Sequence, residues 1–245
     1  MRESATRTSS EPSENRWRDA SGRPSKTYGI ERPALLPNAD PKGAPPSSRH
    51  ALHDHLGLDH DADLVLYQGA LTPHRELETL ASTWPQVAAR CPHAHLVFLG
   101  DGPLLHSLRQ AAGDERVHFP GAVPPSELAD LTASASVGVA LLADVCLNHR
   151  YALPNKLFAY LNAGVPIVAS DLPEMRRVLT DPSPAGLLVH PGDADDLARS
   201  LVSLLNDAQL RARLAASAPA ILETTDADGA LHRFADTLAA LAYRS

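Results

Sequence analysis

The sequence predicts an α/β fold, a doubly wound parallel sheet of the Rossmann-like kind. Two observations carry that expectation. Apolar runs of three to six residues, the length of strands buried on both faces, recur from residue 64 to residue 189. Stretches of helical period separate them, and glycine and proline mark the junctions. Short apolar strands alternating with helices are βαβ units, and these build parallel sheets. In such sheets ligands bind beyond the carboxyl ends of the strands, near the point where strand order reverses.

Taken in order, residues 1–27 are expected to be disordered. Eighteen of the first fifty residues are Pro, Ser or Gly, and such a segment buries too little apolar surface to fold. Residues 28–245 then form one domain. Residues 51–58 read as a short helix, with His50, His53, His55 and His60 around it. Their spacing reproduces no zinc pattern and no cysteine is near, so a solvated helix face is preferred over a metal site. His93 and His95 are read the same way. Strands are expected over 64–68, 95–99, 116–119, 137–142, 166–170 and 187–189. Helices are expected over 74–90, 103–112 and 125–133, with Pro85 as a point where the first ends or kinks. After the sheet come helices over 194–206, 208–216 and 230–243. The last carries Leu231, Phe234, Leu238 and Leu241 on one face.

Composition excludes several classes. The stretch MRESATRTSS has no apolar core, so no secretory signal is expected in it. No apolar run approaches the roughly 20 residues of a membrane span. Cys91 and Cys146 have no metal or redox spacing, and a cytoplasmic protein with free thiols is the default. The net charge of -7 is uneven: residues 1–50 carry nine Lys/Arg against six Asp/Glu, and the remainder thirteen against twenty-three. An acidic body is a poor partner for nucleic acid. The basic start permits peripheral contact with an anionic surface.

The stretch that organises the chain is 151–171, YALPNKLFAYLNAGVPIVASD. Pro154 suits the first position of a helix. Leu157, Phe158 and Leu161 fall on one apolar face, Gly164 is a C-cap, and Pro166 forbids continuation. Ile167-Val168-Ala169 follows as a buried strand. A helix N-terminus therefore sits at Asn155 and Lys156, where free N–H groups and the positive dipole end attract an anion. A lysine in that first turn opposes the dipole unless an anion lies between. Lys156 is also the only lysine after Lys42. A solvated lysine on a helix end is the plainer alternative.

The run PNKLF-x-YL-x-AG-x-P-x-VAS-D-x-PE-x-R resembles the donor-binding motif of GT-B glycosyltransferases, specifically glycosyltransferase family 4, the group 1 transferases. The resemblance extends over about residues 28–223. It implies that the chain is the C-terminal, nucleotide-sugar donor domain of such an enzyme. Residues 28–40, with Pro37-Asn38-Ala39-Asp40, resemble the strand and turn that open this domain, with Ala39 where glycine is usual. Gly69 to Arg75 resembles the family's G-R-L-x-x-x-K-G, with Arg75 at the lysine position, Ala70 in place of arginine and Glu76 in place of glycine. Gly69 admits close backbone approach, and an arginine can grip a diphosphate bidentately. A plain surface arginine remains the other reading. Gly100-Asp101-Gly102-Pro103 matches the family's G-x-G-P turn. Its two glycines permit positive φ and a tight turn beside a ligand, though an ordinary strand-to-helix turn would use the same letters. Gly121 to Leu128 resembles F-x-G-x-V-x-x-x-E-L, where the backbone near Val123 would receive the base.

The resemblance also implies a pair of glutamates eight positions apart, one on the sugar and one on the ribose hydroxyls. In this sequence the two positions are Tyr151 and Ala159. A charge-assisted hydrogen bond contributes about 1.5–3 kcal/mol, so Ala159 removes roughly ten- to a hundredfold in nucleotide affinity. The cofactor-binding set is thus Gly69, Arg75, Gly100, Gly102, Val123, Asn155, Lys156, Leu157 and Ala159, with no catalytic residue named. The donor implied is a UDP- or GDP-sugar, with retention at the sugar and Arg75 and Lys156 neutralising the leaving diphosphate. No metal is expected, because no D-x-D motif is evident; Asp226-Ala227-Asp228 matches the letters but falls in a loop after the sheet.

The resemblance implies two Rossmann-like domains in a GT-B enzyme, and on that reading the first, acceptor domain is expected to be missing from residues 1–245. The expected partners are a separate acceptor-domain chain or a second copy docked through the C-terminal helix. Two functions follow. One is a donor half that transfers a sugar once completed by its partner. The other is a degenerate, non-catalytic module that keeps the fold as a partner or scaffold. An epimerase of the same architecture would also need both domains.

Overall fold

The computed structural model describes residues 46–225 and 227–242. The tail over 1–27 and the motif over 28–40 lie outside the described residues. The chain divides into two compact units, residues 37–232 and a second whose described part is 233–242. The sheet belongs to the first.

Six parallel strands stand in the order β3-β2-β1-β4-β5-β6. They are β1 (Asp63–Gln68), β2 (Ala94–Leu99), β3 (Val117–Gly121), β4 (Val137–Ala140), β5 (Ile167–Ser170) and β6 (Gly186–Val189). Successive side chains alternate between two apolar layers. Val65, Tyr67, Leu96 and Phe98 face one layer, and Leu64, Leu66, Val97 and Leu99 face the other. The first layer is covered by α2 (Leu77–Arg90), α3 (Leu105–Ala112), α8 (Ala194–Asn206) and α9 (Ala208–Ala215). The second is covered by α1 (Ala51–Leu56), α4 (Leu128–Ala133), α6 (Asn155–Ala163), α7 (Pro173–Thr180) and α10 (Ala218–Thr225). Trp84, Phe158 and Leu201 are completely buried among them, and each such side chain contributes about 1.5–3 kcal/mol or more of transfer free energy. A one-turn helix, α5 (Leu147–Arg150), precedes α6, and α11 (Ala227–Ala242) closes the chain.

The doubly wound parallel sheet is the one the sequence predicts. The differences from the sequence reading have local causes. The helix expected from residue 74 begins at Leu77, because His74 and Glu76 both hold positive φ, 65° and 52°. Pro85 lies within α2 without ending it. The strand expected over 137–142 stops at Ala140, and the Leu142 N–H is taken by the Ser170 hydroxyl at 2.9 Å. Pro154 is the N-cap of α6 rather than its first helical residue, with extended ψ of 140°. Gly164 caps the far end in the left-handed region, as expected. Helices α5, α7 and α10 were not expected from the sequence. Residues 227 and 228 lie in the first turn of α11 and not in a loop, while Asp226 lies outside the described residues.

Strand order reverses between β1 and β4, and there the ladder is short: only Val65 pairs Val137 and Leu66 pairs Gly138. Tyr160 of α6 fills the gap. Its hydroxyl donates to the Leu66 carbonyl at 2.8 Å and accepts from the Gln68 N–H at 3.2 Å. The ring lies against β4, where a Cβ on Gly138 would come within 2.5 Å of it. Burial and the loss of water raise the Tyr160 phenol far above its ordinary pKa. The switch point is thus a pair of strands with a short ladder, tied by one side chain.

Candidate donor site at the switch point

Three loops leave the carboxyl ends of β1, β2 and β4, and they clasp one another. The Leu71 N–H donates to the Asp101 carbonyl at 2.9 Å, and the Leu104 N–H to the Leu71 carbonyl at 3.0 Å. The two glycines of the β2 loop permit this contact. A Cβ on Gly100 would lie 2.1 Å from the Gly69 carbonyl oxygen, and one on Gly102 would lie 2.5 Å from that of Leu71. Both hold positive φ, as the sequence implies. Their close neighbour, however, is the adjoining loop. On the other side the Ala143 N–H donates to the His74 carbonyl at 3.0 Å, and the His149 ring meets Ala143 O at 3.1 Å.

Lys156 rises from the first turn of α6 to the rim that these loops form. Its Nζ lies 3.5 Å from the centroid of the Tyr67 ring, and a Cβ on Gly69 would sit 3.6 Å from it. The Tyr67 hydroxyl donates to the Ala70 carbonyl at 2.9 Å, fixing the ring and the loop together. Burial pushes that phenol up to about 12, against the pull of nearby Arg75. Burial likewise holds Lys156 well below the ordinary lysine range, and the Arg75 charge adds to the effect. Among the described residues neither Lys156 nor Arg75 has an ion-pair partner.

The carboxylates of the same rim each have at least one partner, although Asp171 Oδ1 is buried without one. Glu76 accepts from the Gly192 N–H, while burial raises its pKa. Asp101 accepts from the Gly102 N–H at 2.7 Å, Asp144 meets Arg150 at 3.6 Å, and Asp171 pairs with Arg176. Arg177 and Glu174 pair at 3.2 Å. Two cations without ion-pair partners among the described residues therefore face a rim whose carboxylates meet backbone N–H groups or other arginines, an arrangement suited to an incoming phosphate.

Of the residues singled out in the sequence, Gly69, Arg75, Gly100, Gly102 and Lys156 come together at this rim. Asn155 is exposed beside them at the start of α6. Leu157 has its side chain in the core, and its N–H already donates to the Pro154 carbonyl at 3.0 Å. Ala159 is half-buried one turn further along α6. Val123 follows β3, two strand positions and about 10 Å from β1, and its side chain packs against the second apolar layer. Tyr67 and Tyr160 were missed in the sequence. An aromatic residue two places before the loop glycine was the available signal for Tyr67. Tyr151 is exposed on the rim with Val145 and Leu147.

A histidine cluster, His50, His53 and His60, lies at the opposite, amino end of the sheet, whereas His74 and His149 meet at the rim itself. His50 and His60 stack at 4.3 Å, and the His60 ring meets Asp54 at 2.8 Å. Among the described residues no group of three or more His, Cys, Asp or Glu is placed to hold a metal ion.

A doubly wound domain with a lysine and an arginine brought together at its switch point is the class that fold and site define. Residues 62–207 match the family described as Glycosyl transferases group 1, and the chain belongs to that family. It is 34% identical over 167 residues to phosphatidyl-myo-inositol mannosyltransferase of Mycolicibacterium smegmatis, an alignment covering 66% of this chain and 41% of the relative. It is 26% identical over 196 residues to the GDP-mannose-dependent monoacylated alpha-(1-6)-phosphatidylinositol monomannoside mannosyltransferase of Corynebacterium glutamicum, covering 74% and 48%. The chain thus spans less than half the length of these relatives. In fold it resembles Anabaena Alr3699/HepE in complex with UDP-glucose, with a TM-score of 0.65 at 21% identity, covering 80% of this chain and 54% of that one.

Proposed function

We propose that this chain is the donor half of a glycosyltransferase. It takes a nucleotide-diphospho-sugar, UDP- or GDP-linked, and supplies it for transfer to an acceptor held elsewhere. The observation that carries this reading is the pair of cations without ion-pair partners among the described residues, Lys156 and Arg75, at the switch point. A diphosphate entering there meets two positive groups and the Gly69 backbone. As the sugar departs, charge builds on the diphosphate, and preorganised cations in a partly desolvated crevice stabilise it more than water would. No metal is required if these charges suffice. The complex of Alr3699/HepE with UDP-glucose and the GDP-mannose dependence of a relative support a nucleotide-sugar donor.

On this reading acceptor binding comes from a second domain or chain. A single domain leaves the donor open to water and without an acceptor surface. Phe234 and Leu238 of α11 are 44% and 51% exposed, apolar groups suited to an acceptor-domain chain or a second copy. We place the protein in the cytoplasm with peripheral membrane contact open to it; among the described residues no helix is long and apolar enough to cross a membrane. The test is calorimetric titration of the chain with UDP, GDP and their sugar conjugates. Saturable binding of one nucleotide is expected; no binding at millimolar concentration would contradict the reading.

A second reading is favoured by one observation, Ala159 where the family places the ribose carboxylate. In that case the domain is a non-catalytic scaffold. Ala159→Glu separates the two: a gain of about tenfold in nucleotide affinity marks a donor site, and no gain marks the scaffold.

A further inference from the structure

We propose that Tyr67 is a positioning residue for the anion-binding cation: its buried ring face holds the Lys156 ammonium at the Gly69 backbone, where an entering phosphate meets it. The proposal rests on the donor-site reading above and names a residue that reading does not use.

Tyr67 is fully buried in the central strand β1. Its ring is fixed on two sides, by the hydroxyl bond to the Ala70 carbonyl at 2.9 Å and by Phe98, whose ring centroid is 6.1 Å away. None of these contacts requires a lysine. Lys156 Nζ nonetheless lies 3.5 Å from the ring centroid, well within the range of a cation–π contact. Among the described residues no carboxylate pairs with this ammonium, and Arg75 repels it. The negative face of the ring is the surface that offsets that repulsion. Desolvation works against the charged form, as the lowered pKa of Lys156 records, so the ring also helps keep the group protonated. Gly69 completes the arrangement. A Cβ there would lie 3.6 Å from Nζ and 3.7 Å from Cε, against the very end of the side chain, whereas glycine leaves that side open and is itself exposed. The phenol oxygen is spent on Ala70, so Tyr67 acts through Lys156 and not on the ligand.

The test replaces Tyr67 by Phe and then by mono-, di- and trifluorophenylalanine. This series drains the ring face of negative charge at nearly constant shape. UDP and GDP affinities are measured in the otherwise native chain and in Lys156→Met, with thermal unfolding followed throughout. Tyr67→Phe is expected to stay within about threefold of the native affinity. The loss should grow to about tenfold at three fluorines, and the Lys156→Met series should be flat. A purely structural role would not follow ring electronics. A flat or rising series in a chain that still binds nucleotide overturns this inference and leaves the donor site standing. A native chain that binds neither nucleotide overturns both. A second readout needs no substitution. The sequence has only three lysines, Lys26, Lys42 and Lys156. In a lysine-labelled sample the Lys156 ε-protons should be shifted upfield by the Tyr67 ring and remain so with UDP or GDP bound. Loss of that shift on binding would overturn the proposal.

Discussion

The two ends of the sheet both gather titratable side chains, and they treat them oppositely. At the amino end most charged groups meet one another, although the buried His53 Nδ1 has no hydrogen-bond partner. His95 and His118 face each other at 2.9 Å, Asp114 holds Arg116 at 3.2 Å, and His60 meets Asp54. At the carboxyl end Asp144, Asp171 and Glu174 each meet an arginine, but among the described residues no carboxylate pairs with Lys156 or Arg75, and Lys156 has only the Tyr67 ring beside it. Residue type alone does not separate structure from site. Histidines are abundant and conspicuous in the sequence, a lone lysine is not, and the lysine is the better candidate. What distinguishes them is whether the protein itself supplies the partner.

The largest effect that would break this contrast comes from the loop clasp. Gly100→Ala drives a Cβ into the Gly69 carbonyl at 2.1 Å and should cost about 3 kcal/mol in stability, seen as a lowered midpoint in denaturant. Nucleotide binding should be lost with it. Gly121→Ala, with nothing within 4 Å of the added Cβ, should cost about 1 kcal/mol from its positive φ alone. Equal effects would mean the clasp is not what shapes the rim.

Lys156→Met comes next. Nucleotide affinity should fall ten- to a hundredfold, while thermal stability holds or rises, because a buried ammonium without a carboxylate is costly. A loss of stability without loss of affinity would reverse the contrast between the two ends. Tyr160→Phe sharpens it differently. It orphans the Gln68 N–H and the Leu66 carbonyl at the switch point, so about 1–3 kcal/mol of stability should go, readable by chemical denaturation.

The smallest effect belongs to the amino end. Burial lowers the pKa of both His95 and His118 below the ordinary histidine range, helped by the Arg116 charge at His95 and by His95 at His118. The folded chain therefore prefers both rings neutral. Their contribution is fully present above about pH 6.5 and is lost as pH falls from there through the lowered folded values, because the unfolded chain takes up protons first. A denaturation series from pH 8 to pH 5 should show this loss, and His118→Phe should flatten it. Nucleotide affinity at the other end should not follow that substitution.

The fold was legible because burial on both faces writes a short apolar run for each strand, and all six runs are in the sequence. Helix α7 was also written there, in Pro173 at the start and Met175, Val178 and Leu179 at helical spacing, but it sits inside a motif that draws attention to its letters. Helix α5 buries none of its residues, so it leaves no periodic trace. The site was legible in part. The glycines of the β2 loop announce unusual backbone, but not that they make room for a neighbouring loop. Lys156 stands out as a solitary lysine in a helix start. Its contact with Tyr67 spans 89 positions in the chain and has no local signature; only the folded arrangement brings the two together. The same holds for Tyr160, whose hydroxyl completes a strand pair far away in sequence.

The central claim is that this crevice is built for the diphosphate. It is tested most directly by titrating the chain with UDP and GDP beside uridine and guanosine, in native protein and in Lys156→Met. The account predicts that a diphosphate binds, that the matching nucleoside binds far more weakly, and that Lys156→Met removes most of the difference. A nucleoside that binds as well as its diphosphate, or a difference untouched by Lys156→Met, would contradict it.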